Sequence, residues 1–154
     1  MKNILMIIGV MAIVIYMKKG GTNSLELLEK NCNLGNAQEC VLLGHRAKPN
    51  FQKASKFYEK ACNYNSAIGC SFLVVLYEDG TLKDKDYSKR IKYSEKGCNL
   101  GTSMMCVNLS MMYAGGQGVE EDFAKAKELY HKGCDNKNNK LCREYSEVLK
   151  EYGE

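Results

Sequence analysis

Four copies of one cysteine spacing constrain this chain more than any other feature. Cysteines occur at 32, 40, 62, 70, 98, 106, 134 and 142, and every consecutive pair is separated as C-x7-C. The pairs open at Cys32, Cys62, Cys98 and Cys134, so the unit is 36 residues long, with about six residues missing after the first copy. A period in this range marks a stacked-repeat architecture, in which each unit buries its apolar face against the next.

The copies agree around the cysteines. Lys30, Lys60, Lys96 and Lys132 each stand two residues before the first cysteine, and Asn33, Asn63, Asn99 and Asp135 follow it. A short turn comes next, with Gly35 in the first copy and Gly101 in the third, and the second cysteine then opens a new apolar segment. Two segments joined by a tight turn predict an αα-hairpin. Helical periodicity agrees. Phe51, Ala54, Phe57, Tyr58 and Ala61 share one face of a first helix, and Cys70, Leu73, Val74 and Tyr77 share one face of a second. Phe123, Ala126, Leu129, Tyr130 and Gly133 repeat the first pattern. The stretches 78–86 and 114–122 carry glycine and acidic residues, as expected of connectors that end at a helix start. In the first copy the connector shrinks to 45–50, where the chain's single proline, Pro49, separates two helices.

Eight cysteines allow about a hundred connectivities. In an antiparallel hairpin the first cysteine, on the last turn of one helix, faces the second, near the start of the next, at the separation a disulfide needs. The expected bridges are Cys32–Cys40, Cys62–Cys70, Cys98–Cys106 and Cys134–Cys142. Closing loops of about nine residues is worth roughly 2.5 kcal/mol each in the chain-entropy account, useful support in a fold that lacks a central core. Zinc fits less well, since structural sites favour C-x2-C pairs and none occurs. No C-x-x-C redox motif occurs either.

Disulfides imply an oxidising compartment, and the N-terminus offers a route to one. Ile4–Met17 is an apolar run preceded by Lys2 and followed by Lys18 and Lys19. As a helix it would span roughly 21 Å, against roughly 30 Å for a bilayer core. That is the length of a signal-peptide core, although no A-x-A-like cleavage site follows; an uncleaved anchor with snorkelling lysines is the alternative. The expected division is therefore 1–21 as signal peptide or signal anchor and 22–154 as the repeat domain, with hairpins at about 22–50, 51–86, 87–122 and 123–152. Net charge is +4, but three lysines precede residue 20 with no acid among them, so the body is close to neutral. It lacks the basic footprint that nucleic-acid binding requires.

These residues resemble the Sel1-like repeat family, and within it the cysteine-rich secreted branch that includes the Helicobacter cysteine-rich proteins. The matching stretches are Ala54-Ser-Lys-Phe-Tyr-Glu-Lys-Ala-Cys62, Gly97-Cys-Asn-Leu-Gly-Thr-Ser-Met-Met-Cys106 and Leu109-Ser-Met-Met-Tyr-Ala-Gly-Gly-Gln-Gly-Val119 leading to Asp122. The likeness covers about residues 22–150. Departures are the short first connector, Lys137 and Asn138-Asn139 in place of a glycine-led turn, and a last copy without its closing loop. The resemblance implies an all-α, right-handed α/α superhelical solenoid whose curved surface binds proteins or peptides in the cell envelope or a host. It also implies, by analogy, a second reading as a weak β-lactamase or penicillin-binding hydrolase.

The chemistry for that second reading is not legible. A serine β-lactamase uses S-x-x-K, S-D-N and K-T-G, and the sequence contains none of them. A zinc enzyme needs several histidines, whereas His45 and His131 stand alone in different repeats. Glu120, Glu121 and Asp122 read as charges at a helix start, and the four repeated lysines as cations at helix ends, each placed to complement the macrodipole. Gly115-Gly-Gln-Gly118 is a connector rather than a phosphate loop. No catalytic residue, cofactor or metal is assigned. Recognition is expected from the helix row that points away from the core: Gln52, Lys56 and Glu59; Ser88, Lys92 and Glu95; and Glu128 and His131. The reading is a monomeric, exported binder of a protein or peptide, periplasmic, secreted or tethered to the inner membrane through residues 4–17; a third reading, a small scaffold that recruits other membrane proteins, requires an intact N-terminus.

Overall fold

The structure is a computed structural model that describes residues 24–82, 86–134, 142, 143, 146, 147 and 150. The N-terminal run and the turn at Lys137–Asn139 lie outside the described residues. Among the described residues seven continuous helices follow one another, α1 (24–33), α2 (Ala37–Arg46), α3 (Phe51–Asn63), α4 (Ala67–Glu78), α5 (Tyr87–Asn99), α6 (Ser103–Ala114) and α7 (Phe123–Gly133), and residues 142, 143, 146, 147 and 150 are also helical. Among the described residues no strand occurs, and none of these helices is long and apolar enough to cross a membrane. From α2 onward each helix packs on its neighbours in sequence, and α2 also touches α4. The chain is an all-α solenoid of antiparallel helix pairs.

The first two hairpin turns share one device, and the third keeps only its backbone half, Thr102 N to Gly97 O at 3.0 Å, with no side-chain cap. Ser66 shows the device: its backbone N–H donates to Ala61 O at 2.9 Å, closing α3, while its hydroxyl accepts from Gly69 N at 3.2 Å, capping α4. Asn36 does both jobs between α1 and α2, through Asn31 O at 3.0 Å and Glu39 N at 3.3 Å. One residue thus ends one helix and starts the next, which fixes the short cysteine spacing. The residue before it must adopt the left-handed conformation: Gly35 at φ 98°, Gly101 at φ 86° and, where the second copy has no glycine, Asn65 at φ 61°. Asparagine is among the few other residues that enter this region readily.

The disulfides pair as the spacing predicts, one per hairpin, with Cα separations of 4.8, 4.7, 4.6 and 5.7 Å from the first to the fourth. No described cysteine is free. Such close approach leaves no room beside it. A Cβ on Gly69 would lie 2.7 Å from Ala61 Cβ and 2.8 Å from Cys62 N, and one on Gly97 would lie 2.7 Å from Met105 Cγ. The residues flanking these two bridges must therefore include a glycine.

Three apolar clusters run along the stack: Cys32, Cys40, Leu43 and Ala61 at the first interface; Tyr58, Leu73, Val74, Tyr93 and Leu109 in the middle; Val107, Ala126 and Cys142 at the end. Of the expected core face, Ala54, Tyr58 and Ala61 are buried, while Phe51 and Phe57 are half-buried. Caps match the acidic connector ends: Asp86 accepts from Lys89 N at 3.0 Å and Asp122 from Lys125 N at 2.8 Å.

Candidate functional site

An open groove of about 590 Å³ lies where two repeats meet, at the end of the helices away from the disulfide-closed turns. The first half of α3 contributes Gln52, Lys53, Ser55 and Lys56, preceded by its cap Asn50. Tyr77 near the end of α4 and Leu82 in the connector add apolar surface, and Asp86 and Lys89 at the start of α5 close the far side. Capping determines which side chains are available here. The Asn50 side chain is occupied by Lys53 N at 3.0 Å, whereas Gln52, Lys53 and Lys56 are exposed.

The electrostatics are cationic and partly organised. Lys89 Nζ sits 3.4 Å from Asp86 Oδ2 and 5.2 Å from the Tyr77 ring centroid. The Tyr77 and Asp86 partners raise the Lys89 ammonium above its ordinary range, and the Lys89 N–H bond holds the Asp86 carboxyl below its own. Behind the groove, Tyr77 stacks on Tyr93 with centroids 6.0 Å apart, and the buried Tyr93 hydroxyl donates to Glu59 Oε1 at 2.6 Å. A second depression of about 380 Å³, between α1, the end of α2 and α3, shares Lys53 and adds Arg46, Glu29, Leu25 and Phe57. Further along, Glu120, Glu121 and Asp122 line an acidic depression beside Tyr113 and Phe123. The surface thus changes sign along the stack.

All eight residues of the expected recognition row are exposed. The structure brings Gln52 and Lys56 into the groove but gives several of the others local work. Glu59 receives the Tyr93 hydroxyl, Lys92 lies 5.3 Å over the Tyr93 ring, Glu128 pairs with Lys125 at 3.8 Å, and His131 meets the Tyr130 ring edge-on at 5.5 Å. Ser88 and Glu95 do not line the groove. Lys53, Tyr77 and Lys89, which do, were not singled out from sequence. The signal for Lys53 is its i, i+3 spacing from Lys56; periodicity places Tyr77 on the core face of α4, and its half-buried ring also lines the groove.

Lys60, Lys96 and Lys132 stand in the last turn of their own helices, as expected, and also reach across to the preceding repeat. Lys60 Nζ donates to Asn33 Oδ1 at 2.7 Å, Lys96 Nζ to Asn63 O at 3.3 Å and Lys132 Nζ to Asn99 Oδ1 at 2.8 Å. Each lysine reaches back to the turn of the preceding repeat, so the ladder joins repeats. His45 is exposed yet engaged, 3.3 Å from the Tyr58 hydroxyl and edge-on to Phe72. Among the described residues no group of three or more His, Cys, Asp or Glu is placed to hold a metal ion.

Comparison with known proteins places this geometry. Sel1 repeats match residues 31–63, 67–102 and 103–138, a frame that runs from the second helix of one hairpin through the first helix of the next. A Sel1 repeat protein from Oxalobacter formigenes superimposes with a TM-score of 0.70 at 21% identity, covering 81% of this chain and 98% of that one. Helicobacter pylori cysteine rich protein B superimposes with a TM-score of 0.60 at 30% identity, covering 82% of this chain and 95% of that one. A protective antigen of uropathogenic Escherichia coli displaying an SLR fold matches at TM-score 0.69 and 21% identity over 82% of this chain, which spans only 28% of that protein. No curated protein is matched by sequence. With its repeats matched over most of the chain and its helices stacked as in these structures, the protein belongs to the Sel1 repeat family.

Proposed function

We propose that the chain is an exported, disulfide-stapled repeat scaffold of the bacterial cell envelope that binds a protein or peptide segment in the groove between its second and third hairpins. The observation that carries this reading is the groove itself: amide, hydroxyl and ammonium groups on rigid helix starts, around an apolar floor of Tyr77 and Leu82. Hydrogen-bonding groups beside apolar surface suit an extended segment, whose backbone and side chains need both. Repeat proteins use stacked helix surfaces of this kind for recognition.

Four disulfides support an oxidising location, as does likeness to a cysteine rich protein of Helicobacter pylori. Export would proceed through residues 1–21, removed as a signal peptide or kept as an anchor. Mass spectrometry of the native protein distinguishes these by the presence or loss of the first residues.

Binding is tested by panning a displayed library of random octapeptides on the oxidised full chain and on a Lys53→Glu, Lys56→Glu variant. Enrichment of a peptide set by the unaltered chain, lost by at least tenfold in the variant, is the expected outcome. Enrichment that ignores the two substitutions would remove the groove from the reading, and no enrichment would remove the reading.

A further inference from the structure

The hairpin turns carry a feature that the groove does not use. Leu34, Tyr64 and Leu100 hold the same position, two residues after the first cysteine of successive repeats, and Ile68 and Met104 both stand two residues before the second. All five are exposed, Leu34 by 75% and Ile68 by 58%. The Tyr64 hydroxyl donates to Asn33 O at 3.4 Å, so neighbouring turns touch and their apolar tips form a row. Single exposed apolar residues are ordinary; a row repeated along one edge of a solenoid is a patch.

Cations run through that row. Lys60, Lys96 and Lys132 are hydrogen-bonded to Asn33, Asn63 and Asn99, all neutral acceptors, and none of the ion pairs among the described residues includes them. Their charge is held in place but not neutralised. Apolar tips interleaved with fixed, uncompensated ammonium groups are complementary to an anionic bilayer, where side chains enter the headgroup boundary and cations sit on phosphates. A second copy is a poorer occupant, because two-fold pairing of this edge would set lysines against lysines.

We propose that the disulfide-closed turn edge rests on an anionic lipid surface. The groove lies at the opposite end of the same helices, so α3, 13 residues long, would hold it roughly 20 Å from the lipid and open to a partner. The proposal rests on the envelope location and not on the peptide reading.

The chain contains no tryptophan, so one can be introduced as a reporter. Full-length Leu100→Trp and, as a control away from the turns, Val75→Trp are reconstituted in phosphatidylglycerol-containing or pure phosphatidylcholine vesicles that carry headgroup-labelled quenching lipids. Expected is quenching at position 100 at least twofold greater in anionic than in zwitterionic vesicles, with no such difference at position 75. Changing Lys60, Lys96 and Lys132 to Gln, which keeps a donor but removes charge, should abolish the difference, with circular dichroism confirming the helices. Equal quenching at both positions, or none at position 100 in anionic vesicles, overturns the proposal. So does a concentration-dependent dimer in solution that Leu34→Ser abolishes, since that assigns the edge to a second copy. Cell fractionation tests the envelope location separately, and neither result depends on the peptide library.

Discussion

At the scale of residues, steric room beside the disulfides and the burial of one phenol decide what can change. Gly69 faces Ala61 Cβ and the backbone of Cys62, which cannot move without breaking α3, whereas Gly97 faces the flexible Met105 side chain. Gly69→Ala is therefore expected to lower stability by about 2 kcal/mol and Gly97→Ala by less, measured as urea midpoints; the reverse order would contradict the close-packing account. Tyr93 makes the second prediction. Burial, reinforced by its bond to the Glu59 carboxylate, drives its pKa far above the ordinary phenol range. Above about pH 10 the unfolded chain loses this proton while the folded chain keeps it, so the stability it contributes is complete below that pH and falls as pH rises further. Ultraviolet titration should show a tyrosine still protonated after the exposed ones have ionised, and Tyr93→Phe should flatten the alkaline fall in stability.

At the scale of elements, the hairpin is clipped within itself by a disulfide and joined to its predecessor by a lysine. Replacing Lys60, Lys96 and Lys132 together with Met is expected to cost about 1–3 kcal/mol, the worth of three hydrogen bonds made partly in water, read as a lower urea midpoint. If those lysines served only their own helix ends, mutating the Asn33 and Asn99 side chains to Ala would leave stability unchanged; the observed bonds predict a loss. The third repeat also shows how the elements adjust to one another. Arg90 stands where its neighbours have Ala54 and Ala126, and Ser94 where they have Tyr58 and Tyr130. Bulk is exchanged between two positions one turn apart, with Arg90 reaching Glu78 at 2.8 Å and Gln117 at 3.4 Å. Periodicity alone marks position 90 as core and gives no sign of that bridge.

At the scale of the whole molecule, a stack of hairpins has few contacts between distant parts of the sequence, so its strength comes from units and the joints between them. Four clips of roughly 2.5 kcal/mol each are comparable with the entire stability of an ordinary domain. Complete reduction is therefore expected to remove most of the helical circular dichroism at 37 °C, and a reduced chain with an unchanged melting temperature would show that packing alone suffices. The repeat, the hairpins and the cysteine pairs were legible because each is written locally, in residues a few positions apart that one turn brings together. The family resemblance followed from the same local pattern. The groove was only half legible. Gln52 and Lys56 lie on an exposed helix face that periodicity reveals, but Tyr77 and Lys89 reach them from other helices, and no spacing rule connects α3 to the end of α4 and the start of α5. Likewise the sequence displayed four lysines in register, and only the stacking of one hairpin on the next determined that Lys60, Lys96 and Lys132 bond backwards to the preceding turn. What the chain specified by itself is short-range: turn chemistry, capping and the reach of a disulfide. Partners across the repeat interface, and therefore the shape and charge of every surface spanning it, were decided by packing, because they depend on how large and small side chains fit between helices that are distant in sequence.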